Sequence, residues 1–161
     1  MLLFRSPTKR QIDTALTVLR VVLGITFIMH GGQKIFVYGF DGVAGSFAQM
    51  GIPAAGLMGP FVALVEFFGG IAIVLGLLTR LAALGIGATM VGAILTVHLQ
   101  AGFFNPGGIE FPLSLLGTAI TLAITGAGAF SLDALLAKRF AGSRAAEQVA
   151  PAAPERARRI A

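Results

Sequence analysis

The stretch that decides the fold is FVALVEFFGGIAIVLGLL, Phe61 to Leu78, which carries one charge, Glu66. An apolar run of this length reads as a membrane helix, because roughly 20 residues rising about 1.5 Å each are needed to cross the hydrocarbon. A carboxylate at that depth is costly and usually faces a protein interior or a wet cavity, so Glu66 marks a candidate site.

Three further apolar stretches flank it. The spans read as Ala15 to Phe36, Leu57 to Leu78, Leu81 to Leu99 and Pro112 to Leu132. With 161 residues, 56% hydrophobic and 12% charged, and a mean hydropathy of +0.87, the solvent of this chain is mostly lipid. The expected architecture is all-α, a four-transmembrane-helix bundle over residues 1–140 followed by a disordered basic cytoplasmic tail over 141–161. Between the first two spans, Val37 to Gly56 is too interrupted by Gly and Pro to cross, and reads as a short interfacial helix or a re-entrant hairpin. Thr79 and Arg80 make so tight a link that the second and third spans must be antiparallel neighbours. The long first apolar segment contains Arg20 and has no clear small-residue cleavage site, so it reads as a retained helix rather than a secretory leader.

The net charge of +5 is gathered at the ends, in Arg5, Lys9, Arg10 and Lys138, Arg139, Arg144, Arg156, Arg158 and Arg159. Basic flanks of this kind report topology and anionic lipid headgroups, and without interleaved aromatics they do not suggest nucleic acid. They predict a multi-pass membrane protein with both termini in the cytoplasm. Arg20 then lies close enough to the cytoplasmic interface to snorkel. The absence of cysteine excludes disulfides, thiolate metal sites and a dithiol relay carried by this chain.

Folded up and down, the spans bring His30, Lys34, Glu66, His98 and Glu110 to the outer half. On a helical wheel Arg20, Gly24, Phe27, His30, Gly31 and Lys34 fall within about a third of the first helix, a face expected to look inward. Gly59, Ala63, Glu66 and Gly70 form a small-residue strip in the second helix, and Ser114, Gly117, Thr121, Thr125 and Gly128 form another in the fourth. In the third, the strip Gly85, Thr89, Gly92 and Thr96 points away from His98. Either His98 ends the helix at the interface or the strip meets another neighbour.

Several chemistries fit these groups. Glu66 with His30 or Lys34 can be a buried ion pair that fixes helix register. Alternatively the groups form a quinone headgroup site: Glu66 and His30 take catalytic, proton-handling roles, Lys34 and His30 donate hydrogen bonds, and Phe27, Phe61 and Phe67 contact the ring. Gly70, His98 and Glu110 complete this cofactor-binding set. Haem between His30 and His98 is a weaker reading, and no close HxxxH or ExxH spacing supports a metal site.

The chain resembles the DoxX family of small bacterial membrane proteins. The resemblance rests on LRVVLGITFIMHGGQKIF in the first span, VEFFGGIAIVLGLLTRLAALGIGATM across the second and third, HLQAGFFNPGGIE in the outer loop and GAGAFSLDALL closing the fourth. It implies a four-helix fold and kinship with quinone-linked sulfur-oxidising membrane subunits and with proteins tied to oxidative or thiol stress. The family pattern marks Arg20, His30, Gly31, Lys34, Glu66, Gly69, Gly70, Gly76, His98 and Glu110. Where the family often has Pro or a basic residue before SLD, this chain has Ala127 and Ala129.

The leading expectation is a quinone-binding membrane protein that supports a redox partner, as a membrane subunit of a quinone-dependent oxidoreductase. The alternative is a non-enzymatic scaffold that docks a soluble redox or detoxification protein on its basic ends. Membrane lipids are partners on either reading, and a homo-oligomer is left open.

Overall fold

The computed structural model describes residues 5–149. Every regular element among them is helical. α1, Lys9–Gly32, opens with a reciprocal cap in which Thr8 and Gln11 each hold a backbone amide of the other. It runs without a break into a π-helical segment, Gln33–Tyr38, until Gly39 at φ 68° turns the chain into α2, Gly39–Gln49. α2 is the expected short helix between the first two spans, and it packs along α3, Ala55–Leu75. α4, Thr79–Ala93, continues through further helical turns to Ala101. α5 is Glu110–Thr125 and α6 is Leu132–Val149.

Three helical stretches are long and apolar enough to cross a bilayer: Lys9–Gln49, Ala55–Leu75 and Thr79–Ala101. α5 is apolar but shorter than expected. Gly126, at φ 79°, ends it at Thr125, and the last part of the expected span, through Leu132, is largely loop. Its 16 residues reach about 24 Å at about 1.5 Å per residue. The tail boundary expected at 141 falls inside α6, whose Ala, Leu, Lys, Arg and Glu favour helix. Residues 150–161 of the expected tail lie outside the described residues.

α1 packs on α3, α3 on α4 and α4 on α5, with a shorter contact returning from α5 to α1. Leu23, Phe27, Ile73, Ile86 and Leu122 are fully buried where these four helices meet. Much of the outside is apolar, including Val22, Met29, Phe68, Leu84 and Ile124, as a lipid-facing surface requires. Gly24 and Gly70 set the distance between α1 and α3: a Cβ on Gly70 would lie 2.7 Å from the Ile28 amide nitrogen and 2.8 Å from the Gly24 oxygen.

The beginning of α1, the α3–α4 turn and the 126–133 loop meet at one end of the bundle, the terminal end. The 102–109 loop closes the other.

Candidate functional site

Toward the loop end, Lys34 from the π-helical segment after α1 reaches across to α3 and forms an ion pair with Oε2 of Glu66. Glu66 is 4% exposed. Its strip behaves as the sequence predicts, with Gly59, Ala63, Glu66 and Gly70 all buried. The other carboxylate oxygen, Oε1, has no hydrogen bond from any of the described residues. The pair borders a cavity of about 400 Å³ between α2, α3 and α4, walled by Phe47, Met50, Phe61, Val65, Gly92 and Thr96 among others. Size and apolar lining suit a small hydrophobic ligand, and the pair supplies a convergent polar spot.

Only part of the expected constellation gathers here. His30 is exposed on the flank of α1 and makes no hydrogen bond to Glu66. It sits at the edge of the inward arc, and α1 is covered mainly by α3, which leaves that edge open. Phe27 is buried in the dry core and Gly70 is spent on the α1–α3 contact, so neither lines the cavity. Phe67 packs edge-on against Phe36 rather than into the cavity, whereas Phe61 does line it. His98 and Glu110 organise the loop: Nδ1 of His98 lies 2.6 Å from the Gly107 carbonyl oxygen, and Oε1 of Glu110 accepts from the Asn105 amide at 2.7 Å. With His30 exposed on the flank of α1 and His98 held by the loop, the two do not face each other across the bundle as haem ligation requires. Among the described residues no cluster of three or more His, Asp or Glu is placed to hold a metal.

The α4 strip answers the question that the sequence left open. Gly85, Thr89, Gly92 and Thr96 face the cavity, opposite the α3 wall, and His98 lies beyond them near the helix end. The α5 strip turns outward instead: Ser114, Gly117, Thr121 and Thr125 are exposed, with their hydroxyls bonded to carbonyls of their own helix. α5 meets α4 through Leu116 and Ala119 instead.

A second polar cluster occupies the terminal end. Arg20 does not snorkel; it is 1% exposed. Its Nη2 donates to the Phe130 carbonyl at 2.5 Å and to Thr17 Oγ1 at 3.4 Å, and Nε and Nη1 are buried without an acceptor among the described residues. Asp133 attracts the guanidinium. Its carboxylate also accepts from the Leu78 and Thr79 amides at 2.7 and 3.0 Å, capping the start of α4. Asp13 accepts from the Ala129 amide at 2.9 Å. Gly76, at φ 66°, is required twice, for its left-handed backbone and because the Arg20 guanidinium fills the space of a Cβ. The GAGAFSLD segment is therefore a clasp on the first helix. Its sequence signal was the early Gly126 together with an Asp at the start of a new helix. Between Arg20 and Lys34, α1 contributes Leu23, Gly24, Phe27 and Gly31, all buried, so the two polar clusters are separated by a dry layer.

The DoxX family model matches residues 15–99. The chain is similar to a Bacillus subtilis (strain 168) protein named "Putative oxidoreductase CatD", 38% identical over 120 residues that cover 74% of this chain and 85% of the relative. It is also similar to the inner membrane protein YqjF of Escherichia coli (strain K12), 39% identical over 133 residues, covering 82% and 99%. The Mycobacterium tuberculosis membrane protein Rv3486 is 37% identical over 134 residues, covering 75% and 80%. No solved structure matches. A family match over more than half of the chain, and relatives aligned nearly end to end, make this an all-helical membrane protein of the DoxX family.

Proposed function

We propose that the protein crosses the inner membrane four times, with both termini in the cytoplasm, and that its cavity takes a quinone-like lipid headgroup in support of a redox partner. The observation that carries the reading is the ion pair of buried Glu66 with partly buried Lys34 on the edge of an apolar cavity, with no hydrogen bond from the described residues to the second carboxylate oxygen. A quinone, when bound, supplies two-electron chemistry coupled to protons. The residues present suit it. Glu66 Oε1 can accept a proton from a ring hydroxyl, the remaining Lys34 N–H groups can donate to a ring carbonyl, and Phe61, Val65 and Met50 exclude water. The relative named as an oxidoreductase supports a redox role in general terms. For topology, the support is the gathering of Arg5, Lys9, Arg10, Arg80, Lys138 and Arg139 at or beside the terminal end. The dry layer between the two polar clusters argues against a solute path through the bundle.

The test is lipid extraction and mass analysis of the purified full chain, beside Glu66→Gln. A lost hydrogen bond to a charged group costs about 1.5–3 kcal/mol, so retained quinone should fall roughly ten- to hundredfold. Unchanged occupancy removes Glu66 from the site.

A second reading rests on the terminal end, where exposed Arg80 and α6 with Lys138 offer a basic docking surface. It treats the chain as a scaffold for a soluble redox protein. On that reading, truncation after Gly142 abolishes recovery of the partner and Glu66→Gln does not.

A further inference from the structure

Gly92 lies on the α4 wall of the cavity, and a Cβ built there meets no atom within 4 Å. Glycines in membrane helices ordinarily admit a neighbouring backbone. Gly70 does so, and Gly85, farther along the same wall, is in tight contact with Val65, 3.3 Å from a built Cβ. Nothing approaches Gly92, so close helix contact does not account for it. On either side of it along α4, Thr96 donates its hydroxyl to the Gly92 carbonyl at 2.8 Å and Thr89 donates to the Ile86 carbonyl at 2.8 Å. Both hydroxyls are committed to their own helix and leave this wall without a free donor. What remains is a low, flat, apolar surface. The polar atoms at the cavity's edge belong to the Lys34–Glu66 pair, which carries no net charge and so favours a neutral ligand over a free ion.

We propose that Gly92 is the specificity-determining position of this cavity, the surface on which a planar ring lies. The ring's hydroxyl or carbonyl edge meets the Lys34–Glu66 pair. α2 and α4 each pack on α3, and the apolar tail leaves between them, past Met50 and Val97. The inference rests on the headgroup reading above and deepens it by assigning ring breadth to one residue.

The experiment measures equilibrium binding of two probes, a decyl-tailed benzoquinone and a decyl-tailed naphthoquinone, to the purified full chain in detergent. The proteins are wild type, Gly92→Ala, Gly92→Leu and Gly45→Leu. Gly45 is an exposed α2 position with open space around it, away from the cavity, and serves as control. Gly92→Leu should weaken both probes about tenfold or more at a melting temperature no lower than that of wild type, because its side chain fills ligand space rather than protein. Gly92→Ala should retain the single ring and weaken the two-ring probe several-fold, and Gly45→Leu should match wild type. The Gly92→Ala pattern stands even if Gly92→Leu folds poorly. Wild-type binding that both Gly92 variants share unchanged overturns the assignment of Gly92 and leaves the headgroup reading in place. Absence of binding by wild type overturns both.

Discussion

The two polar clusters of this protein are built from similar materials and behave as opposites. At the terminal end, Arg20 is enclosed by backbone: the Phe130 carbonyl accepts its hydrogen bond, Gly76 yields the space of a side chain, and Asp133 answers both the charge and the amides that start α4. Toward the loop end, Lys34 and Glu66 answer each other through a single oxygen and face a cavity. A charge tied into several elements is part of the fold. A charge pair that leaves an acceptor facing open space is available to a ligand. Burial alone does not distinguish them, since Arg20 and Glu66 are 1% and 4% exposed.

The largest effect should therefore come from the clasp. Arg20→Ala removes the bond to the Phe130 carbonyl and empties the space that the guanidinium fills against Gly76, a loss of about 2–5 kcal/mol, measured as the midpoint of unfolding in detergent and denaturant. Arg20→Lys should recover little, because one ammonium does not reproduce the guanidinium's reach. Gly76→Ala comes next. It should cost roughly 1–3 kcal/mol on the same measurement from crowding against the guanidinium, apart from the positive-φ strain.

The cavity pair should give the contrary pattern. Replacing both partners, Lys34→Met with Glu66→Leu, should leave stability near wild type or slightly higher while emptying the cavity of quinone, because well-packed apolar residues can replace a buried pair. If the double variant unfolds as readily as Arg20→Ala, the distinction between the two clusters fails. The smallest effect is at Gly92. Gly92→Ala should raise the unfolding free energy by about 0.5–1 kcal/mol, the helix-propensity gain of a methyl group that meets no neighbour.

How legible each cluster was follows from the same difference. Long apolar runs announce helices, and Gly and Pro around α2 mark it as short. The tight link between α3 and α4 was legible too, although it falls at Gly76, Leu77 and Leu78, and the expected linker residues Thr79 and Arg80 open α4. Lys34 and Glu66 were readable because both fall on small-residue or inward faces. Their meeting needed one helix contact. The clasp was hidden because a snorkelling arginine and an enclosed one have the same local sequence. Telling them apart requires knowing that α5 ends at Gly126 and that the following loop folds back 110 residues along the chain to Arg20. His30 was misplaced because a helical wheel gives direction but not which arc a neighbour covers. His98 and Glu110 were drawn to a cofactor by their charge, when the loop's unpaired backbone groups were the nearer claim on them.

The distance along the chain between Arg20 and Phe130 also orders events at the ribosome. The first helix is made with a cation whose acceptor has not yet been synthesised, and α3, α4 and α5 all follow before that acceptor emerges. Until residues 130 to 133 are made, neither the Phe130 carbonyl nor Asp133 is there to meet the guanidinium. A polypeptide that stops at the end of α5 therefore lacks the partners that hold this arginine in the complete chain.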